Sequence, residues 1–266
     1  MDQYFKLLLL FLAVNTTDAG KYIYGPTYET WLKAQEFCRT HHTDLAPTDS
    51  TYDMSLIQKL QSSLGVWTWI GLIKSSNSST GWKWSGGADM DLDKHFWAPG
   101  EPDNTNGIEE HVVLKTSTGT FSYMWWDFSY YYKFGFLCYK VHAVRERKTW
   151  YEALDYCRSH HQDLASVASV TEMMLMQREV SKKLSSYNVW IGLHFLDGGW
   201  VWMDGQPFTF ESWVANQKPA CPDMHLSCGA LRFVGPMHET ERLANVTGVK
   251  GWNSFDCSQK LHFLCY

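Results

Sequence analysis

Apolar residues recur with helical spacing in four segments of the chain, and these segments predict helices over 30–38, 51–64, 149–160 and 170–184. In the first segment, Trp31, Ala34 and Cys38 stand at positions i, i+3 and i+7, so they share one face of the helix. In the second segment, Gly65 follows the last apolar residue and marks the predicted end of the helix.

Short segments rich in aromatic and β-branched residues predict strands, which in the first half of the chain cover 66–72, 82–84, 111–115 and 134–139. The chain from 74 to 119 is instead rich in Gly, Ser, Asn, Asp and Pro and predicts a mostly irregular loop. A loop of this length within a compact domain indicates a functional segment. Two helices, a few short strands and one long loop predict an α+β domain.

The order of these patterns is repeated in the second half of the chain. The sequence Trp-Ile-Gly-Leu occurs at 69–72 and again at 190–193, and the patterns before and after it match as well. Such self-similarity is the mark of a duplicated structural unit. We therefore predict two tandem α+β domains, over 22–140 and 141–266.

The first residues have the pattern of a secretory signal peptide. Lys6 supplies a positive charge, Leu7–Val14 is an apolar run, and small residues precede an expected cleavage before Gly20. The apolar run is too short to span a bilayer, and we expect no membrane span elsewhere. The pattern therefore predicts a signal peptide over 1–19 and a secreted, extracellular protein.

Composition and charge narrow the classes of partner and activity. The formal net charge is −5 and the chain has no basic run, so we expect neither nucleic acid nor anionic membranes as partners. The sequence offers no recognisable pair of a nucleophile and a base, so we do not expect an enzyme. The 14 tryptophans and 14 tyrosines are explained first by packing, with an aromatic recognition surface as the alternative.

Seven cysteines in a secreted chain predict disulfide bonds. In each repeat one cysteine lies in the first helix and one at the end, which predicts the pairs Cys38–Cys138 and Cys157–Cys265. The second repeat adds the pair Cys228–Cys257 and leaves Cys221 over. We expect Cys221 to form an intermolecular disulfide and so an oligomer, to be capped, or to stay free; its pairing with Cys257 in place of Cys228 stays open.

Two sequons lie in predicted loops of the mature chain. Asn77 and Asn245 each precede a Ser or Thr by two residues, with no proline between. In a secreted protein this pattern predicts N-glycosylation at both asparagines.

The spaced motifs of both repeats resemble the C-type lectin-like domain family. These motifs are Trp-x-x-Ala-x-x-Phe-Cys, Asp-Leu-Ala, Trp-Ile-Gly-Leu, Trp-x-Trp, Glu-Pro-Asp and a final Phe-Leu-Cys-Tyr. The resemblance covers 22–266 and implies the family's α+β fold, with the ligand site on the long loop. Many members of the family hold calcium and sugar there.

The resemblance implies a calcium site in the first repeat. Calcium-dependent members carry the triplet Glu-Pro-Asn or Gln-Pro-Asp, then a glutamate several residues on, then Trp-Asn-Asp. Here four of the five ligand positions carry carboxylates, namely Glu101, Asp103, Glu109 and Asp127. The fifth position is Trp126, which cannot ligate a hard cation. The same four carboxylates are the expected carbohydrate ligands.

The second repeat lacks this pattern. Its triplet position reads Lys218-Pro219-Ala220, or Cys221-Pro222-Asp223 in another register, and its final motif is Trp252-Asn253-Ser254. We therefore expect no calcium in the second repeat. The first repeat in turn lacks the family's inner disulfide, because His111 and Tyr130 occupy the two cysteine positions.

Three functional hypotheses follow from the sequence. The first is a secreted lectin whose first domain binds Ca²⁺ and, through it, a glycan or glycoprotein. The second is a calcium-independent module that holds a protein ligand with its aromatic loops and keeps a relic lectin site. The third treats the chain as a piece of a larger receptor.

Overall fold

Each half of the chain folds into two long helices and one sheet. The computed structural model describes residues 18–60, 64–93, 95–116, 119–120, 122–184, 186, 188–220, 222–233 and 249–266. Most of the predicted signal peptide, the seventh cysteine Cys221 and the sequon at Asn245 lie outside the described residues. Nothing among the helices of the described ranges has the length and apolarity needed to cross a membrane.

The helices are α1 (Trp31–His41), α2 (Thr51–Lys59), α3 (Trp150–His160) and α4 (Val170–Lys183). Capping boxes start α2 and α3. The hydroxyls of Ser50 and Thr149 each accept a hydrogen bond from the amide three residues on, and the carboxylates of Asp53 and Glu152 accept one from the amides of Ser50 and Thr149. Three of the four helices agree with the predicted spans to within a few residues. The structure therefore bears out the helical spacing of the apolar residues.

The predicted extension of α2 to residue 64 is wrong. The helix ends at Lys59, and the amide of the capping residue Leu60 donates to the carbonyl of Ile57, three residues back. Such a bond tightens the last turn and ends the α-helical ladder. Leu60 is fully buried and Leu64 half-buried outside the helix, so the apolar stripe continues without helical backbone.

The first domain forms an eight-stranded sheet. Its strands are β1 (Asp18–Ala19), β2 (Tyr22–Tyr24), β3 (Asp44–Leu45), β4 (Trp67–Lys74), β5 (Trp82–Trp84), β6 (His111–Lys115), β7 (Trp125–Phe128) and β8 (Gly135–Tyr139). The order is β1-β2-β8-β4-β6-β7, with β3 paired to β8 and β5 to β4. Strand β4 is parallel to β8 and antiparallel to β6, which puts the Trp-Ile-Gly-Leu motif at the centre of the sheet.

The second domain repeats this arrangement with six strands. They are β9 (His142–Lys148), β10 (Asn188–Leu196), β11 (Gly199–Trp202), β12 (Cys228–Phe233), β13 (Val249–Phe255) and β14 (Leu261–Cys265). The order is β13-β12-β10-β14-β9, with β11 paired to β10. Both domains thus have the α+β architecture that the sequence predicts.

Three disulfide bonds tie the helices and strands together. Cys38–Cys138 joins α1 to β8, and Cys157–Cys265 joins α3 to β14 in the same way. Cys228–Cys257 closes the loop between β12 and the residues after β13. These are the pairs that the cysteine positions predict, and Cys257 is therefore not the partner of Cys221.

The two domains share one buried apolar cluster. It contains Tyr22, Ile57 and Leu137 of the first domain together with Ile191 and Leu264 of the second. Each domain also has a smaller cluster of its own around its first helix, Trp31 in one and Trp150 in the other. Burying apolar surface on both sides favours a fixed arrangement of the two domains.

A buried cation lies in this interface. The ammonium of Lys21 lies 2.7 Å from a carboxylate oxygen of Asp53 and 2.5 Å from one of Glu172, which belongs to the second domain. It also donates to Oε1 of Gln206 over 3.1 Å. Burial opposes the positive charge, but the charges of Asp53 and Glu172 outweigh it and raise the pKa of Lys21. One ammonium group thus forms an ion pair with each of the two domains.

Acidic groups outnumber this single cation. Burial and the charge of Asp53 raise the pKa of Asp49 to about 7. Burial and Asp53 likewise raise the pKa of Glu172 to about 8, although Lys21 acts in the opposite direction. The folded protein therefore holds protons on this cluster that an unfolded chain releases at lower pH.

Replacing Lys21 should destabilise the interface between the two domains. We expect Lys21→Met to lower the free energy of unfolding by about 3–5 kcal/mol, because it leaves buried carboxylates without their cation. Lys182→Met is the control, since the side chain of Lys182 is 47% exposed and its partner Glu179 keeps Lys183 as a second cation, so stability should change by about 0.5 kcal/mol or less. Urea unfolding of both variants measures the difference. Equal stabilities would show that the buried ion pairs do not hold the interface.

The acid cluster should also make stability depend on pH. Because the pKa of Asp49 in the folded protein lies above its ordinary value of 3.8, this residue stabilises less as pH rises from about 4 to about 7. Each unit of pKa shift corresponds to about 1.4 kcal/mol. We expect Asp49→Asn to flatten the decline and to be more stable than the parent at pH 8. Thermal melts between pH 4 and 8 test this, and unchanged slopes would contradict it.

Candidate functional site

The acidic triplet of the first domain lies on a loop that is pinned to strand β7. The amide of Ala98 donates to the carbonyl of Trp125 over 3.0 Å, and the amide of Glu101 donates to the carbonyl of Ala98. The peptide bond between Glu101 and Pro102 is cis. The triplet therefore begins three residues from a fixed contact with the core.

Three of the four predicted ligands converge. Carboxylate oxygens of Glu101, Asp103 and Asp127 all lie within 4.8 Å of one another. Asp127 comes from β7 and is buried, Glu101 is half-buried, and Asp103 is exposed. The cluster is thus open to solvent on one side and held by the sheet on the other.

Asp127 organises the loop that faces it. Its two carboxylate oxygens accept hydrogen bonds from the backbone amides of Asp103, over 3.1 Å, and Asn104, over 2.9 Å. Asn104 has a left-handed backbone, with φ of 48°, which asparagine tolerates better than most residues. The loop therefore turns sharply at the point where its acidic side chains meet Asp127.

Glu109, the fourth predicted ligand, lies beside the cluster and is not one of the three converging groups. Its Oε2 accepts from the amide of Thr105 over 2.8 Å, and the hydroxyl of Thr105 donates to Oδ1 of Asp103 over 2.8 Å. Side-chain Oδ1 of Asn104 accepts from the amide of Glu109. Asn104 and Thr105 thus position the ligands, a role that the turn-forming sequence Asn-Thr-Asn-Gly hints at but does not specify.

Like charges shape the electrostatics of this site. Burial, with the hydrogen bond and charge of Asp127 and the charge of Asp103, raises the pKa of Glu101 to about 8. Burial also raises the pKa of Glu109, whereas hydrogen bonds from Thr105 lower that of Asp103. A divalent cation would relieve the repulsion among these carboxylates. Their hard oxygen atoms are the ligands that Ca²⁺ prefers, so the residues present fit this ion.

Trp126 takes no part in the cluster. Side chains alternate along β7, so Trp126 and Phe128 lie on the face of the sheet opposite Asp127. The indole of Trp126 packs edge-on against Trp67, with ring centroids 5.6 Å apart. The position of the family's asparagine is therefore filled by a packing residue, and the oxygen ligand it supplies elsewhere is missing.

His111 and Tyr130 stand where the second domain has a disulfide. His111 pairs with Phe128 between β6 and β7, just as Cys228 pairs with Phe255 between β12 and β13. The rings of His111 and Tyr130 have centroids 6.1 Å apart. Burial lowers the pKa of His111 to about 4, so this histidine is neutral at physiological pH. A ring contact thus replaces a covalent bond beside the acidic loop.

The second domain has no matching acidic cluster among its described residues. Its register places Ser254 opposite Gly229, at the position that Asp127 takes in the first domain. Lys218 pairs with Glu211 at 2.7 Å and lies over the ring of Phe208. In the register that reads Lys218-Pro219-Ala220, a cation occupies the start of the triplet.

The paired histidines after the first helix of each domain have a structural role. His41 and His160 each contact the carbonyl oxygen four residues back, that of Phe37 at 3.1 Å and that of Tyr156 at 3.0 Å. Both rings also stack on these aromatic residues. These contacts hold both rings against the last turn of their helices.

Comparison with known proteins assigns the family. The sequence profile of the lectin C-type domain matches the chain twice, over 27–140 and 146–266. The chain belongs to the C-type lectin domain family.

Several relatives and solved structures are similar to this chain. C-type lectin lectoxin-Lio1 of Erythrolamprus poecilogyrus is 33% identical over 132 residues, which is 48% of this chain and 72% of the relative. Secretory phospholipase A2 receptor of Mus musculus is 25% identical over 263 residues, 89% of this chain but 16% of the receptor. Crystalline CEL-I from Cucumaria echinata is 22% identical, with a TM-score of 0.39 over 48% of this chain and 95% of its own.

Family membership supports a lectin-like carbohydrate-binding function. C-type lectins are in general binding proteins without catalytic activity, and many of them hold Ca²⁺. They bind glycans or proteins. The tandem arrangement agrees with the relation to the phospholipase A2 receptor, since that similarity runs through both domains.

The equivalence of His111 and Tyr130 with a cysteine pair can be tested directly. We expect the double variant His111→Cys/Tyr130→Cys to form a disulfide like Cys228–Cys257, because the strand registers match. A loop of this size adds up to about 3 kcal/mol of stability in the chain-entropy model. Titration of free thiols measures bond formation, and the single variants are the controls. Two free thiols in the folded double variant would show that the register is misplaced.

Proposed function

We propose that the protein is a secreted lectin whose first domain binds Ca²⁺ and, through the ion, a glycan. Glu101, Asp103, Glu109 and Asp127 are its ligands. The observation that carries the proposal is the convergence of three carboxylates within 4.8 Å on a loop anchored to β7. The described residues of the second domain form no such cluster, and this domain braces the first through the shared core.

The arrangement suits a weak extracellular calcium site. Ca²⁺ accepts six to eight oxygen ligands, and carboxylates, backbone carbonyls and water all qualify. The missing oxygen at Trp126 reduces the ligand count, while the repulsion between Glu101 and Asp127 favours a cation. Extracellular modules function with dissociation constants of about 0.1–1 mM, so the site needs no more than this affinity.

The protein side chains determine how a sugar would be held. When bound, Ca²⁺ would act as a Lewis acid and coordinate hydroxyl oxygens of the sugar. Carboxylates accept hydrogen bonds from those hydroxyls, and neither Asp103 nor Trp126 offers the amide donor that the family's asparagines provide. The site therefore favours sugars whose hydroxyls act as donors to the protein.

Calcium titration into the full chain tests the proposal. The shared core makes the intact protein the right sample, since an isolated first domain would expose its buried face. We expect saturable binding at millimolar or lower calcium, weakened at least about tenfold in Glu101→Gln and Asp127→Ala. Asp93→Ala, an exposed carboxylate outside the cluster, is the matched control and should bind as the parent does.

Glycan retention gives the second measurement. Glycans captured from an array in calcium should be released by a chelator and should not bind the Glu101→Gln variant. Retention that survives both the chelator and the substitution would refute the calcium-dependent mechanism. A parent protein that binds no calcium in the titration would refute the metal site.

A further inference from the structure

The first domain carries a continuous series of aromatic contacts on the sheet face opposite Asp127. This aromatic face consists of Trp67, Trp126, Phe128, Tyr130, Tyr131 and Tyr132. The ring of Trp67 contacts Phe128, and Phe128 contacts Tyr132, with centroids 5.3 and 5.7 Å apart. Tyr131 lies 5.2 Å from Tyr132 and 5.7 Å from Tyr130. The rings thus form one surface that runs from the sheet to the loop after β7.

Three consecutive tyrosines of this face are exposed. Tyr130, Tyr131 and Tyr132 expose 51%, 54% and 45% of their surface. Packing within the domain explains the buried part of two of these rings. Tyr130 contacts His111, and Tyr132 stacks on Phe134 with an interplanar angle of 7°. Packing does not account for the exposed half of each ring, because a single exposed aromatic is ordinary but a cluster marks an interaction surface.

The second domain provides a comparison within the same chain. Its strand registers place Asn188 opposite Arg232 where the first domain has Trp67 opposite Lys115. Phe128 matches Phe255 and Phe136 matches Phe263 in the strand registers, so the chain between them has equal length in both domains. Tyr130, Tyr131 and Tyr132 therefore match Cys257, Ser258 and Gln259, and Trp126 matches Asn253. The same fold therefore forms without any of these five aromatic residues. In the first domain Trp67 and Trp126 also pack against the cluster around Trp31, whereas the three tyrosines do not belong to it.

Positive charge borders the aromatic face. The ammonium of Lys115 lies 6.0 Å from the ring centroids of both Trp67 and Trp126. Lys133 interrupts the aromatic sequence after Tyr132 and is exposed. One acidic residue, Glu29, is paired through its backbone with Phe134 at the far end of the face. The border is therefore positive on a chain whose net charge is −5, which favours an acidic group in a ligand.

We propose that this aromatic face is a calcium-independent docking surface for a protein segment that carries acidic and apolar side chains. Tyrosine and tryptophan are enriched in the energetically dominant parts of protein interfaces, where each supplies a large contact area and a polar tip. The apolar side chains of the partner cover the rings of Tyr131 and Tyr132. Its carboxylates meet Lys115 and Lys133. The surface is distinct from the acidic cluster, because β7 separates the two faces.

The test selects peptides on the intact protein and then measures their binding. A phage-displayed random dodecapeptide library is panned on the full chain in excess chelator, which removes any contribution of calcium. Enriched peptides are synthesised, and their affinities are measured by fluorescence polarisation. We expect sequences with Asp or Glu beside apolar residues, and at least about tenfold weaker binding to Tyr131→Ser/Tyr132→Gln, which introduces the residues of the second domain.

Further variants separate the proposal from its alternatives. Lys133→Glu should weaken binding at least about fivefold and reduce its dependence on salt. Tyr151→Ser removes an exposed tyrosine of the second domain and should leave the peptides bound. Tyr131→Ser alone keeps the test valid if Tyr132→Gln disturbs the fold, which a thermal melt reports.

Three results would overturn the proposal. The first is a selection that yields no peptide whose binding depends on the tyrosines, and the second is an enrichment of basic peptides. The third is a Tyr131→Ser/Tyr132→Gln variant that loses glycan retention in calcium but still binds the peptides. The last would assign the face to sugar instead. Since the peptide measurements are made in chelator, their failure is independent of whether the calcium site exists.

Discussion

The buried ammonium of Lys21 is the contact on which the arrangement of the two domains depends. It pairs with Asp53 of the first domain and Glu172 of the second, and all three side chains are almost fully removed from solvent. A charge in such a place persists only with partners on every side, because desolvation is costly. The apolar residues around it, including Tyr139 and Tyr266, complete a core to which both domains contribute. The tandem is therefore one structural unit.

Within this fixed tandem the two domains differ in the groups they carry at the position of the acidic cluster. The second domain keeps the fold, two disulfides and the interface, while Ser254 and Lys218 replace groups that a cation would need. The first domain keeps the acidic loop and lacks the inner disulfide. Among the described residues, the converging carboxylates are thus found in the first half, and both halves contribute to the shared core.

The two faces of β7 divide the chemistry of the first domain. Asp127 points into the acidic cluster, and Trp126 and Phe128 belong to the aromatic face. Because side chains alternate along a strand, one short segment serves a polar site and an apolar surface at once. The replacement of the family's asparagine by Trp126 takes an oxygen atom from the acidic cluster and adds a ring to the aromatic face.

The sequence alone determined the duplication, the α+β class, the positions of three helices and the two cysteine pairs that recur in both repeats, because these follow from local spacing of apolar residues and from the repeat. The pairing of Cys257 with Cys228 was decided by the structure. It also identified the acidic residues Glu101, Asp103 and Asp127 through their motif. It misplaced the end of the second helix, since the burial of Leu60 and Leu64 does not depend on helical backbone. Only the tertiary structure decided that Lys21 joins the domains, that Glu109 stands beside the cluster, and that Trp126 turns to the opposite face. These depend on contacts between residues far apart in the chain, which no local pattern records.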